Sequence, residues 1–339
     1  MKKLLLLFSF IALSTHYLRA ENSYDNFSTT NIESMMLEIK NMKANELYNL
    51  AEVSEKEKRY DLAELLYLRA IEKGNIDSMN NLGIIYSNQN KYDLAEKYLL
   101  MAVKNGYKES LNNIAILYKR EKKYDLAEKY YLLSIEKGEI LSISYLGNLY
   151  YDQGKYDLAE KYYLLSIEKG EINALNNLGV LYEKQEKYDL AEKYYLLVID
   201  RGFYGANYSL ARLYYKEKKY DLTEKYLLIS IKNENVDAMN RLGLLYEKQK
   251  KYKLAKKYYL LAIENGSIDA LNNLGVLYLS QEDYDLGETY LLKAKDNGNY
   301  NAMKNLEILY ESQKKYDLAD RYRQMAKRQL EKVTNDDIK

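Results

Sequence analysis

The amino-acid sequence predicts an all-α fold, a right-handed α-solenoid (superhelix) of nine helix–turn–helix repeats. A tyrosine recurs at a constant step of 32 residues, and an aliphatic residue recurs at the same step with no insertion or deletion. Within each repeat the apolar residues follow helical spacing, which favours two helices over strands. The tyrosines are Tyr60, Tyr92, Tyr124, Tyr156, Tyr188, Tyr220, Tyr252, Tyr284 and Tyr316, and the aliphatic residues are Leu50, Leu82, Ile114, Leu146, Leu178, Leu210, Leu242, Leu274 and Leu306.

The first helix of each repeat carries one apolar stripe. In the repeat at 171–202 this stripe occupies positions i, i+4, i+7 and i+8, namely Ala174, Leu178, Leu181 and Tyr182. This spacing is typical of a helix with a single buried face. A glycine also recurs on this helix, for example Gly179. Glycine inside a helix costs about 1 kcal/mol relative to alanine, so its recurrence predicts a close helix–helix contact.

A second, more apolar helix follows the polar stretch Glu183–Lys187. It begins near Asp189, whose carboxylate complements the positive end of the helix dipole. It ends at Gly202, because glycine suits the left-handed conformation that follows many helices. Glu234 interrupts this glycine series.

The chain outside the repeats divides into three segments. Residues 1–20 are expected to be a signal peptide, with Lys2 and Lys3 before an apolar run of 11 residues and Ala20 before the cleavage point. Since a span needs about 20 apolar residues, the mature chain is expected to lack an integral membrane span. It is then periplasmic or extracellular; an uncleaved signal that holds it at the membrane is the alternative. We expect residues 21–42 to form a disordered linker plus an N-terminal cap helix. Residues 43–330 are expected to form the nine repeats, and residues 331–339 a C-terminal tail.

The repeat resembles the tetratricopeptide and Sel-one-like repeats. Their first helix carries a Leu-Gly-x-x-Tyr core, seen here from Leu178 to Tyr182, and their second carries an alanine followed by an aromatic residue, seen here at Ala191 and Tyr194. The short turn Glu183–Lys187 is similar to the tetratricopeptide type, whereas the joint Gly170–Gly179 resembles the Sel-one-like type. The resemblance implies a solenoid whose first helices line a concave groove suited to a protein or an extended peptide.

The composition argues against an enzyme. His16 is the only histidine, there is no cysteine, and both facts leave the mature chain without the usual acid–base, thiol or zinc-binding side chains. Ser134 and Ser166 begin S-x-x-K matches, but other repeats place alanine at this position, which favours packing. We therefore expect no catalytic residue, no cofactor and no metal site. Because 51 basic residues nearly balance 50 acidic ones, nucleic acid is not an expected partner either.

Asparagines just before the Leu-Gly core form the main candidate binding site. A carboxamide both donates and accepts hydrogen bonds, so a row of them can hold the backbone of an extended peptide. The row resembles the asparagine ladders of tetratricopeptide and armadillo-type solenoids. The alternative interpretation is that these side chains cap or bridge neighbouring helices. The series is Asn80, Asn81, Asn112, Asn113, Asn176, Asn177, Asn240, Asn272, Asn273 and Asn305.

Two further features concern partners. Tyr151 and Tyr215 lie on first helices outside the repeating tyrosine pattern, and they are additional candidates for the groove. A run of lysines at 248–257 is interpreted either as a solvated face or as a surface for an acidic partner. The sequence thus predicts a non-enzymatic scaffold that binds a protein or peptide in the cell envelope or outside the cell. An envelope glycan-binding protein is the alternative, because asparagine and tyrosine also suit sugars.

Overall fold

The computed structural model describes residue 37 and residues 39–338. Over this part of the chain it contains eighteen α-helices of eleven or more residues and no strand, so the predicted all-α class is confirmed. Odd-numbered helices are the first helices of repeats one to nine, and even-numbered helices are the second. They are α1 (Ala44–Lys56), α2 (Tyr60–Glu72), α3 (Asp77–Asn88), α4 (Tyr92–Lys104), α5 (Ser110–Arg120), α6 (Tyr124–Glu136), α7 (Leu141–Asp152), α8 (Tyr156–Glu168), α9 (Asn173–Lys184), α10 (Tyr188–Asp200), α11 (Ala206–Lys216), α12 (Tyr220–Lys232), α13 (Val236–Lys248), α14 (Tyr252–Glu264), α15 (Ile268–Ser280), α16 (Tyr284–Asp296), α17 (Tyr300–Ser312) and α18 (Tyr316–Ile338).

The described helices fall into two compact units. The first holds α1–α6 and ends at Glu139, and the second holds α7–α18 and begins at Ile140. Within each unit every helix packs against the next one along the chain, both inside a repeat and between repeats. Each unit is thus a stack of helix pairs, as in an α-solenoid.

The predictions for the two ends of the chain can be compared with the structure to different extents. The expected signal peptide at 1–20 lies outside the described residues, as does most of the segment 21–42. Residues 39–41 are helical, and the buried Ile39 belongs to this turn. At the other end, α18 continues to Ile338, through residues that the sequence suggested would form a tail.

Close contacts between a small and a large residue set the spacing inside each repeat. A Cβ atom placed on Gly179 would lie 2.6 Å from the buried ring of Tyr195, so alanine would not fit without a shift. Gly243 has the same relation to Tyr259, at 2.5 Å. The predicted close approach at these glycines is therefore confirmed. In the last repeat Glu307 stands at the glycine position, and its carboxylate accepts from Arg323 Nε at 2.8 Å.

At six repeat boundaries a tyrosine–glutamate hydrogen bond joins a second helix to the first helix of the next repeat. Tyr182 donates to Glu160 and Tyr214 donates to Glu192, both at 2.8 Å and both across 22 residues. The same bond recurs in both units. Burial, followed by the bond to the carboxylate, raises the pKa of each such phenol. The further pairs are Tyr86–Glu64, Tyr118–Glu96, Tyr246–Glu224 and Tyr310–Glu288.

Left-handed residues end the helices, and Glu234 is a non-glycine example after a second helix, with φ of 60°. We expect Glu234→Gly to raise the free energy of unfolding by about 0.5–1 kcal/mol, because glycine adopts this conformation without a Cβ penalty. Urea unfolding followed by circular dichroism measures the change. Lys225→Gly, inside helix α12, is the matched control and should lower stability by about 1 kcal/mol. A lower midpoint for Glu234→Gly would contradict the assignment of strain to this residue.

Candidate functional site

The candidate asparagines lie in the middle of the first helices, on the surface that we call the first-helix face. Asn80 and Asn272 are buried and the other members of the series are half-buried. Their position in the helix follows from the register of the repeat: each pair directly precedes the aliphatic residue and glycine that pack inward. The side chains therefore sit at the edge of the core, where one carboxamide can reach the neighbouring repeat.

Amide-to-amide hydrogen bonds connect the asparagines of successive repeats. In the first unit Asn113 Nδ2 donates to Asn80 Oδ1 at 2.7 Å. In the second unit Asn273 donates to Asn240 at 3.0 Å, and Asn305 donates to Asn272 at 2.8 Å. All three bonds span 33 residues, from the second asparagine of one repeat to the first asparagine of the preceding one. The interpretation in which these side chains bridge neighbouring helices thus has direct support.

These bonds use only part of what a carboxamide offers, since it has two N–H groups and an oxygen with two lone pairs. Within a pair, Asn272 Nδ2 donates to Asn273 Oδ1 at 3.3 Å. Asn177 departs from the pattern because serine replaces the first asparagine in the preceding repeat; it donates instead to Asn148 at 3.2 Å, which also accepts from Tyr163. We call these linked asparagines the asparagine ladder. The ladder contributes to the packing between repeats, and it also lies on the first-helix face.

A charged cluster on the first-helix face of the second unit was not identified from the sequence. Glu183 is only 7% exposed, yet its carboxylate accepts from the Tyr195 hydroxyl at 3.0 Å and from Lys216 Nζ at 2.5 Å. Arg212 lies 3.7 Å from the same carboxylate. Glu247 repeats the bond from a buried tyrosine, Tyr259, at 2.6 Å. The signal in the sequence was the recurrence of glutamate directly after the repeating first-helix tyrosine.

Tyr151 and Tyr215 occupy the same repeat position as Glu183 and are half-buried. Each ring packs against the tyrosine that begins the following helix, with 5.9 Å between the ring centroids. Lys248 Nζ lies 4.8 Å from the Tyr215 ring centroid, in a cation–π contact. Both tyrosines are therefore partly engaged in packing, and each remains half-buried.

A polar depression of about 260 Å³ marks the first-helix face of repeats six to nine. The exposed side chains at its rim are Asp237, Asp269 and Asn301, and Asp269 accepts from Asn299 at 2.9 Å. Its floor contains members of the asparagine ladder. The full lining is Tyr208, Asp237, Asn240, Arg241, Leu244, Asp269, Asn272, Asn273 and Asn301.

The described residues offer little for other chemistry. No group of three or more histidine, cysteine, aspartate or glutamate side chains among them has the arrangement of a metal site. The serines of both S-x-x-K matches, Ser134 and Ser166, are fully buried, in agreement with the packing interpretation. Over the same part of the chain, every helix is too short or too polar to cross a bilayer.

Comparison with known proteins places these features in context. Models of the tetratricopeptide repeat match residues 76–104, 108–136, 145–207, 236–265 and 268–304, together more than half of the chain. No curated protein sequence matches. Among solved structures, a Sel1 repeat protein from Oxalobacter formigenes is 18% identical with a TM-score of 0.51, covering 86% of this chain and 99% of that one. The human IFIT1 dimer is 17% identical with a TM-score of 0.51, covering 85% and 73%. At such low identity these likenesses concern the fold alone.

Proposed function

This chain belongs to the tetratricopeptide repeat family, and on that premise we propose that it is a non-catalytic scaffold that binds an extended peptide segment of a partner protein. The observation that supports this most directly is the polar depression on the first-helix face of repeats six to nine. Its floor is made of carboxamides from successive repeats, and its rim carries exposed acids. The proposed site is therefore Asn240, Asn272 and Asn273 with the side chains around them.

Carboxamides suit a peptide backbone because they can pair with both its N–H and its C=O groups. A row of them contributes affinity that does not depend on the peptide's side chains. Asp237 and Asp269 add a preference for basic side chains, and the guanidinium of Arg241, which also lines the depression, supplies N–H donors for a carbonyl or an acid. At about 10 Å per repeat and about 3.3 Å per residue, three repeats would contact about nine residues of an extended peptide.

We further propose that the protein works in the cell envelope or outside the cell. The support is the charged and apolar pattern of residues 1–20. An envelope glycan is the second candidate ligand, favoured by the combination of Tyr208 with amides in the same depression. Mass spectrometry of the secreted or periplasmic chain would show a new N-terminus near Glu21. An intact N-terminus in the cytoplasm would contradict this location.

The binding proposal is tested with peptides selected from a displayed random library and measured by fluorescence polarisation. Asp237→Ala, Arg241→Ala and Asn301→Ala together remove side chains at the depression that lie outside the amide ladder. We expect peptide affinity to fall at least about tenfold with little change in the melting temperature. The matched control is Asp93→Ala with Lys97→Ala on the second helix α4.

A second variant separates binding from packing. Asn240→Ala with Asn273→Ala removes both partners of one ladder bond, and it also removes the acceptor of Asn272 Nδ2. We expect weaker peptide binding in this variant as well. If both variants bind the selected peptides as the wild type does, the depression is not the site. Selective binding to sugars on a glycan array, without peptide binding, would favour the second candidate.

A further inference from the structure

One ten-residue segment in each repeat runs from the end of the first helix into the second turn of the second helix. Its net charge lies between −1 and +1 in seven repeats. In repeat seven, residues 248–257 contain six lysines and no acidic residue; we call this the basic segment. In repeat eight, residues 280–289 contain four acidic residues and no basic one; we call this the acidic segment. The two strongest charge deviations in the repeats are thus adjacent and opposite in sign.

Some of these charged side chains make contacts within the chain. Lys256 Nζ lies 4.1 Å from the centroid of the Tyr278 ring, and Glu288 accepts from Tyr310 at 2.5 Å. Asp283 caps helix α16 by accepting from the backbone N–H of Leu286 at 3.3 Å. These side chains have structural roles within repeats seven to nine and need no further partner.

Lys256 and Asp283 also exchange the charges that other repeats carry at their positions. Elsewhere the first position is acidic and the second is basic, and one such pair, Glu192 and Lys219, lies 3.9 Å apart. The exchange keeps opposite charges at the boundary between repeats seven and eight. It accounts for one lysine and one aspartate. Lys253 is the main remaining departure from the repeat, because most repeats also carry the charges of Lys251, Lys257, Asp285 and Glu288.

The exposed charges of the basic segment are Lys248, Lys250, Lys251, Lys253 and Lys257, and those of the acidic segment are Glu282 and Asp285. Lys253 replaces an aspartate that all eight other repeats place in the first turn of the second helix. A lysine at this position interacts unfavourably with the positive end of the helix dipole, so it does not stabilise its own helix. Its presence indicates a use outside the repeat.

Apolar side chains lie between these charges. Tyr252 and Leu254 on α14 are 40% and 38% exposed, and Tyr284 and Leu286 on α16 are 48% and 41% exposed. Other repeats carry similar residues, so the charge pattern is what distinguishes this surface. The apolar groups would supply the centre of a contact whose rim is charged.

We propose that the basic and acidic segments form a self-complementary surface through which two copies of this chain pair about a two-fold axis. In such an interface a residue i that contacts j of the partner is matched by j contacting i. Two adjacent segments of opposite sign meet this condition, because antiparallel pairing sets each basic segment against the partner's acidic one. A polyanion fits less well, since the acidic segment beside the lysines would repel it. This surface lies on the turns inside repeats seven and eight and on the start of their second helices, and it shares no residue with the lining of the proposed peptide site.

The test uses two full-length variants with charges reversed on one segment each. The first carries Lys250→Glu, Lys253→Asp and Lys257→Glu, and the second carries Glu282→Lys and Asp285→Lys. Except for Lys257→Glu, each new residue already occupies the same position in another repeat, so folding should be preserved. Sedimentation velocity at low salt should show wild-type pairs with twice the mass of the chain. Each variant alone should pair at least about tenfold more weakly.

Sedimentation of an equimolar mixture of the two variants is the decisive measurement. In the mixture the basic-to-acidic reversed side chains of one variant face the acidic-to-basic reversed side chains of the other with opposite charge, so a mixed pair should form more tightly than either variant pairs alone. Raising the salt concentration should weaken the wild-type and mixed pairs, since exposed charges are screened. A wild-type chain that stays single at about 100 μM, or a pair that neither reversal weakens, would overturn the proposal. So would lysine-dependent binding of heparin by a chain that remains single.

Discussion

Raising the pH above about 10 should unfold this protein. A phenol whose pKa is raised by folding keeps its proton longer in the folded chain than in the unfolded chain. Between the two pKa values, the free energy of unfolding therefore falls by about 1.4 kcal/mol per pH unit for each such group. Four groups would remove about 10 kcal/mol between pH 10 and 12, which is comparable with the whole stability of many domains. Phenols with raised pKa values include Tyr67, Tyr86, Tyr118, Tyr163, Tyr182, Tyr195, Tyr214, Tyr246, Tyr259 and Tyr310.

A pH titration that records helix content by circular dichroism and tyrosinate by absorbance at about 295 nm measures this directly. Because burial is the main cause of these shifts, ionisation of the buried phenols should coincide with loss of helix. Tyr182→Phe with Tyr214→Phe is the control, which should make the dependence on pH shallower while lowering stability at neutral pH. Ionisation of all the tyrosines by about pH 12 with full retention of helix would contradict the assignment.

Replacing Tyr259 by alanine should cost about 3–5 kcal/mol, the range for large-to-small substitutions of buried aromatic residues. The ring is fully buried against Gly243, and its hydroxyl donates to Glu247 at 2.6 Å. Alanine would leave a cavity between α13 and α14 and would remove the partner of a half-buried carboxylate. Urea unfolding monitored by circular dichroism gives the change in the free energy of unfolding.

Two companion variants make this result specific. Tyr259→Leu should cost much less, because repeat two pairs Leu99 with Gly83 in the same arrangement. Tyr316→Ala should have little effect, since that ring is 66% exposed. If leucine were as damaging as alanine at position 259, the small-to-large fit would not be what stabilises the repeat.

The helix pairs and their register could be predicted from the sequence because the period never varies. The recurring glycine, Gly179 in repeat five, predicted a close contact between helices, and the structure shows that its partner is Tyr195. The turn inside each repeat was harder, since eight of its nine left-handed residues are not glycine; Lys122 and Glu186 are examples, and Gly154 is the exception. Their conformation follows from how the helix ends and not from their residue type.

The contacts on the first-helix face were predicted only in part. The asparagine series was visible, but its bonds join residues 33 apart, such as Asn273 and Asn240, and arise only when repeats stack. For the same reason the environment of Glu183 could not be derived, because Lys216 and Arg212 come from the following repeat. Contacts that depend on stacking geometry are not encoded in the pattern of any one repeat.

The tyrosine–glutamate bonds reach only the adjacent repeat, always across 22 residues. Most repeats carry both the tyrosine and the glutamate, so such a repeat could be duplicated or deleted in the gene and its new neighbours would still supply both partners. Repeat seven, with Lys256 in place of the glutamate, is the exception among the inner repeats. Residues 124–138 and 156–170 are identical, which is what recent duplication of such a block would leave behind. Hydrogen bonds that connect only adjacent repeats thus make the number of repeats easy to change during evolution.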